Sequence, residues 1–371
     1  MATQITNYQC PACTGPLQFS GESGKLECEF CGSSFEVAEV EALYAQKEAA
    51  AAEAMADAEA AAAAEEEAIP EEFKEACTWD ENGMKAYNCP SCGAELICDA
   101  TTAATSCPSC GNPTVVPGQF AGALKPDYVI PFKVTKDEAI AAMKNFYKGK
   151  FLLPKVFAQQ NQIEKIQGVY VPFWLFDNYA EGSARYEATI KRTYRSGDYQ
   201  ITETDHYAVS RSGYMSFEKV PVDGSTKMPD DYMDSIEPYN YEELRAFSTA
   251  YLPGYLADKY DVSLEDSAAR ADERCKGSLR SSLESTVVGY TTVSEKSADV
   301  SLERGNVGYA LLPVWLLSTR WNDQNFLFAI NGQTGKAVGA LPMDKGKFWA
   351  LLLSLSVGLS VVCTLITGLI M

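Results

Sequence analysis

Cysteines carry the most specific chemistry in this sequence. Residues 89–111 read CPSCGAELICDATTAATSCPSCG: two Cys-x-x-Cys pairs, with 14 residues between the inner cysteines. The same layout occurs upstream in CPACTGPLQFSGESGKLECEFCG, again with 14 residues between. A Cys-x-x-Cys turn brings two thiolates onto one centre, and an excursion of this length suits a hairpin that returns the second pair. Four thiolates make a closed, tetrahedral structural zinc site. The spacing therefore predicts two zinc ions, one held by Cys10, Cys13, Cys28 and Cys31, the other by Cys89, Cys92, Cys107 and Cys110. Gly32, Gly93 and Gly111 follow the second cysteine of a pair and relieve the tight knuckle turn. The first pair departs from this, since Cys13 is followed by Thr14 and then Gly15. With four protein ligands no position stays open for water, so hydrolytic zinc chemistry is disfavoured.

The remaining cysteines have no partner at useful spacing. Cys98 lies inside the second excursion as a bystander, and Cys77, Cys275 and Cys363 read as small apolar residues. Other catalytic signals are thin. No Gly-Lys pair is followed by Ser or Thr, so there is no P-loop. The single histidine, His206, lies in TETDHYAV on a predicted strand and reads as a surface or sheet histidine. DDYMDSIEPYNYEE (230–243) crowds carboxylates but lacks the glycine and ligand spacing of a calcium loop, which leaves a solvated acidic turn. These features point to a protein that is not an enzyme.

The elements that would carry the cysteines divide the chain of 371 residues into five stretches. Residues 1–37 form a first zinc ribbon. Residues 38–75 are an Ala-rich, acidic run without internal Gly or Pro until Pro70, which predicts a long solvated helical spacer. Residues 76–124 form a second ribbon. Residues 125–345 read as one α+β domain rich in antiparallel sheet. Within it, TKDEAIAAMKNFYKG predicts a helix with Thr135 as N-cap and Gly149 as stop, and Ser263 begins a longer helix to 285. Period-two segments such as GVYVPFWLFDNY, GSARYEATIKRTY, DYQITETDHYAVSR and GYMSFEKVPV predict a meander of strands separated by Gly, Asp and Asn. Asn331-Gly332 marks a hairpin turn.

A weak internal echo links GVYVPFWLFD (168–177) to VGYALLPVWLLSTR (307–320) and predicts two related sheet modules. Trp174 and Trp315 would be their core anchors, and Pro172 and Pro313 would mark a sheet edge or bulge. Finally, residues 348–371 carry no charge and follow Lys345 and Lys347, which predicts one C-terminal transmembrane helix (346–371) with the bulk of the chain on the cytoplasmic side of the cell membrane.

Charge narrows the partners. The net charge is −19, and residues 1–124 hold 20 acidic side chains against 4 lysines, with no arginine before Arg185. Each ribbon carries four acids and one lysine. Nucleic-acid binding needs clustered Lys and Arg to neutralise phosphate, so DNA or RNA is disfavoured and protein contact favoured.

Paired ribbons, the YVPFW and PVWLL motifs and the apolar terminus together resemble the membrane-anchored TFIIB-type zinc-ribbon proteins of Firmicutes. Relatives of that family often carry a primosomal or replication-restart helicase label. The resemblance implies a membrane-tethered adaptor associated with SPFH/flotillin-like and phage-shock-type membrane-stress proteins. The rival reading is a nucleic-acid-associated accessory, either helicase-like or a transcription regulator.

Overall fold

The computed structural model describes residues 8–13, 15–46, 84–88, 95–99, 102–106, 113–115, 125–159 and 163–370. Most of the acidic spacer and Cys77 lie outside the described residues, as do Cys89, Cys92, Cys107 and Cys110. What is described is a small N-terminal sheet, β1 (Leu17–Ser20), β2 (Lys25–Cys28) and β3 (Ser34–Phe35), followed by a helix, α1, over 37–46. Next come two hairpins, β4 (Met84–Asn88) with β5 (Glu95–Asp99), and β6 (Thr102–Ser106) with β7 (Pro113–Val115).

The α+β body is built on three long strands: β9 (Gln167–Ser196), β10 (Tyr199–Asp223) and β13 (Thr292–Trp321). An ordinary strand has about 5–6 residues. At about 3.3 Å per residue, β9 and β13 each run on the order of 100 Å. β13 pairs antiparallel with β9 from Thr292↔Thr189 to Leu316↔Gln167, and β10 pairs with the distal part of β9. Shorter strands flank the base: β8 (Tyr128–Val129), β11 (Arg245–Ala246), β12 (Leu256–Asp258), β14 (Gln324–Asn331) and β15 (Ala337–Gly339).

Burial explains why the sequence pattern changes along β9 and β13. At the base both faces are covered. Tyr170, Tyr309, Leu311 and Trp315 pack with Phe132, Met143, Phe157 and Phe328 beside helix α2 (Lys136–Tyr147). Val169, Val171, Phe173, Leu312 and Val314 pack the other way against Met233, Ile236 and Tyr239 around helix α3 (Asp230–Ser235). Strands buried on both faces read as continuous apolar runs, as GVYVPFWLF and YALLPVWLL do. Farther out, only one face is covered, by helix α4 (Leu264–Ser285). Its Leu279 and Leu283 meet Ala180, Ala184, Tyr186 and Ala188, so polarity there alternates.

The predicted helices and their caps are found. Thr135 and Glu138 make a reciprocal capping box on α2, and Gly149 takes φ +77° just past its end. Ser263 caps α4 through the Asp266 N–H. The expected short-strand meander is corrected. Gly182 and Gly213 do not turn the chain; they face each other inside the ladder, and a Cβ on Gly182 would lie 2.6 Å from the Asp299 carbonyl oxygen. The turn is made by Gly197 at φ +62°.

Pro172 and Pro313 are also corrected, for neither sits at a sheet edge. Each lies in a central strand opposite an ordinary residue, Pro172↔Leu311 and Pro313↔Tyr170. Their carbonyls accept from Gly224 N–H and Gly332 N–H at 2.8 Å, so both point away from the β9–β13 ladder. The missing N–H of each proline therefore falls on the outward side, in a gap between flanking strands, and costs no bond in the central ladder. Trp174 and Trp315 do anchor the core, donating to the Val262 and Val134 carbonyl oxygens at 3.2 and 2.9 Å.

One further expectation fails. The C-terminal helix α5 (Lys345–Ile370) forms, but no helix among the described residues is long and apolar enough to cross a membrane. This finding overturns the predicted transmembrane span and the single-pass membrane location that rested on it. Of the two predicted ribbons, one four-cysteine cluster is present among the described residues.

The 230–243 turn is solvated only in part: Asp230, Asp231 and Glu242 are exposed, but arginines reach the cluster from a separate helix. Arg270 on α4 donates to Asp223 at 2.7 Å and Asp234 at 2.6 Å, and pairs with Asp230 at 3.1 Å. Arg274 Nη2 donates to both carboxylate oxygens of Glu237, at 3.0 and 2.9 Å. These pairs clamp α4 to β10 and α3. Asp223 is buried, so Arg270→Ala strands a buried carboxylate, and urea unfolding should report a loss of about 3–5 kcal/mol. Burial pushes the Asp223 carboxyl up to about 6 against the pull of Arg270. The folded chain then takes up this proton before the unfolded chain does, so the Asp223 contribution to stability grows as pH falls from about 6 towards the unfolded value. The stability difference between wild type and Asp223→Asn, measured by urea unfolding, should move in favour of wild type over that window.

Candidate metal centre

The first ribbon is assembled by backbone pairing around two knuckles. Gln9 bridges Pro16, the Cys10 N–H donates to the Gly15 carbonyl at 2.7 Å, and the Leu17 N–H donates to the Tyr8 carbonyl at 2.8 Å. β2 ends on Cys28, whose N–H donates to the Ser33 carbonyl at 2.9 Å, while Gly32 N–H returns to the Cys28 carbonyl at 2.8 Å. Gly32 takes φ +71°, the left-handed conformation the knuckle turn needs. Gly15 serves differently: a Cβ there would meet the Phe30 ring at 3.1 Å and the Cys13 sulfur at 3.4 Å.

This folding brings together Cys10, Cys13, Cys28 and Cys31, all four sulfurs within 4.8 Å of one another. Cys10 and Cys31 sulfurs are 3.6 Å apart, and those of Cys13 and Cys28 3.4 Å. A tetrahedral zinc with bonds of about 2.3 Å sets its sulfurs about 3.8 Å apart. Donor type, number and spacing fit zinc. Cys10 and Cys28 are buried, and Cys13 and Cys31 lie on the outer rim.

The thiols are not equivalent. The Ser33 hydroxyl, 3.3 Å from the Cys31 sulfur, and the Ser33 backbone N–H hold the Cys31 thiol down at about 6. Cys13, although the Gly15 backbone bond lowers it, is pushed up to about 12 by its thiol neighbours Cys31 and Cys28. Crowded thiols resist ionising together, and a cation at their centre relieves that repulsion. Ser33 was not legible in the spacing; its signal was only a hydroxyl residue two positions past a ligand.

Cys89, Cys92, Cys107 and Cys110 lie outside the described residues. Cys98 sits on β5 opposite Lys85, as a residue of the hairpin. Cys275 is buried on α4 with Asn178 Nδ2 3.5 Å from its sulfur, and burial raises its thiol. Cys363 lies on α5, and its side chain is outside the described residues. His206 is exposed and meets Glu187 at 3.1 Å, a surface pair that needs no catalytic role.

Comparison with known proteins agrees with this geometry. Residues 9–39 match a family described as Trm112p-like protein, so a zinc-binding module of that type is present. Over 343 residues the chain is 36% identical to the uncharacterised protein YdjG of Bacillus subtilis (strain 168), covering 92% of each. The chain belongs to the family of that Bacillus protein. No solved structure matches it.

Cys28→Ser should abolish zinc retention at this centre, whereas Ser33→Ala should weaken it about 10–100-fold through loss of the hydroxyl beside Cys31. Competition with a chromophoric chelator measures both, and Cys275→Ala should leave zinc binding unchanged.

Proposed function

We propose that this chain is a non-enzymatic adaptor that presents zinc ribbons to protein partners. The observation that carries this reading is the closed four-sulfur centre set in an acidic ribbon. Four sulfurs fill the coordination sphere of zinc, so the metal folds the module and offers no site for activated water. Residues 1–37 carry four acids and one lysine, and the ion pair of Lys25 with Glu36 at 2.9 Å occupies that lysine. Such a surface repels phosphate polymers and leaves proteins as partners. SPFH/flotillin-like proteins of a membrane-stress system are the partners this reading names.

The reading includes a second zinc held by Cys89, Cys92, Cys107 and Cys110. Its support is the backbone on either side of each pair. Asn88 pairs with Glu95 across the Cys89–Cys92 turn, and Ser106 pairs with Pro113 across the Cys107–Cys110 turn. Each Cys-x-x-Cys thus lies between two paired strand ends, as each pair of the first ribbon does.

Metal analysis of the purified full chain should give about two zinc ions per chain; about one would remove the second site. A purified SPFH-type protein from the same organism should be retained by the wild type and lost with Cys10→Ser/Cys28→Ser. A low-salt gel shift should show no complex with DNA or RNA. Retention of nucleic acid there, with no protein partner retained, would replace the adaptor reading with the nucleic-acid accessory.

A further inference from the structure

The first ribbon is not an appendage. Its core residues Tyr8, Leu17, Phe19, Leu26, Val37 and Val40 pack in one cluster with Ala250 of the α+β domain, which is fully buried, and with Tyr251 and Tyr255. Phe19 N–H donates to the Pro253 carbonyl at 3.0 Å, and the Phe19 ring meets Tyr251 edge-on at 5.2 Å. The Tyr8 hydroxyl bonds to the Thr249 hydroxyl. At the β1–β2 turn the approach is backbone on backbone: a Cβ on Gly21 would lie 2.3 Å from the Phe132 carbonyl oxygen.

The segment the ribbon grips, 248–258, is also attached to the large sheet. Tyr255 stacks flat on Phe132 at 4.0 Å and 3° and lies edge-on to Tyr170 at 5.7 Å. The next three residues are β12, which pairs with β9 through Leu256↔Val169 and Ala257↔Tyr170. On its other edge β12 pairs with β6 through Ala257↔Ala104 and Asp258↔Thr102, and β6 in turn carries β7. The β6–β7 hairpin therefore joins the large sheet through β12, and β12 continues from the segment on which the ribbon sits.

A ribbon with three short strands cannot bury enough apolar surface to fold unaided, so its fold depends on its metal. We propose that metal occupancy at Cys10, Cys13, Cys28 and Cys31 controls docking of this ribbon on residues 248–255, and through β12 the order of the β6–β7 hairpin. The metal then acts as a conformational input read some distance away, and the strand leading into Cys107 is its output. Coupling of this kind is reciprocal: a ribbon that cannot dock binds zinc less tightly.

Hydrogen exchange with mass spectrometry on the full chain tests this, comparing zinc-loaded protein with protein stripped at this site alone by Cys10→Ser/Cys28→Ser, which leaves Cys89, Cys92, Cys107 and Cys110 in place. Stripping should speed exchange at least about 10-fold in peptides covering 248–258 and 102–106 while α4 keeps its protection. Gly21→Ala touches no ligand but cannot approach Phe132, so it should show the same faster exchange with zinc still bound by native mass spectrometry. Its zinc affinity should also fall several-fold in chelator competition. Ser23→Ala, on the same turn, should behave as wild type. Unchanged protection at 248–258 after stripping overturns the proposal, as does wild-type exchange in Gly21→Ala. Parallel loss of protection in α4 also overturns it, because the metal would then support the whole fold and not this path.

Discussion

The antiparallel ladder between β9 and β13 is the constraint on which the rest of the molecule depends. It brings residues more than a hundred positions apart into register over nearly the full length of both strands. Every other layer of the α+β domain is placed by it. At its base it offers two apolar faces to α2 and α3; farther out it offers one face to α4 and leaves the other polar. Formation of so non-local a pairing incurs a large loop-closure cost before any contact rewards it. The long strands thus gain stability from the helices packed across them as well as from their own hydrogen bonds.

Midway along the ladder the regular pairing is interrupted on both sides at once. β10 bulges between Phe217 and Val220, and β13 between Arg304 and Val307, both beside Asp177 of β9. The Asp177 carboxylate accepts the Lys219 N–H at 2.9 Å, and Lys219 takes φ 54°, a conformation rare outside glycine. Bulges increase local twist and redirect a strand. This aligned pair therefore divides a base covered on both faces from a projecting ribbon of sheet covered on one. The Arg270 and Arg274 clamp lies close to that boundary in sequence, tying α4 to the end of β10.

The metal module follows a different logic from the body. The body is held by apolar burial and long-range pairing, whereas the small ribbon relies on four thiolates to close its knuckles. Shared packing at Ala250, Tyr251 and Tyr255 makes the two interdependent. Its acidic surface argues about partners and not about fold, since summed charge governs association far more than topology.

Much of the local structure was legible in the sequence because local signals suffice for it. Thr135 and Ser263 start helices through bonds to residues three positions on, and Cys-x-x-Cys spacing defines a chelate within one turn. The segments around Pro172 and Pro313 were legible as strands with Trp174 and Trp315 in the core, although not as central strands buried on both faces. What the sequence alone could not determine depended on a partner far along the chain. Gly182 and Gly213 look like breakers until they are seen opposite each other; the two prolines look like edge residues until their nitrogens are found facing gaps between flanking strands. The acidic turn at 230–243 looked solvated because Arg270 and Arg274, which neutralise it, arrive from a separate helix. Docking of the ribbon rests on Gly21 meeting the Phe132 backbone, an approach decided by three-dimensional proximity that no periodicity or spacing encodes.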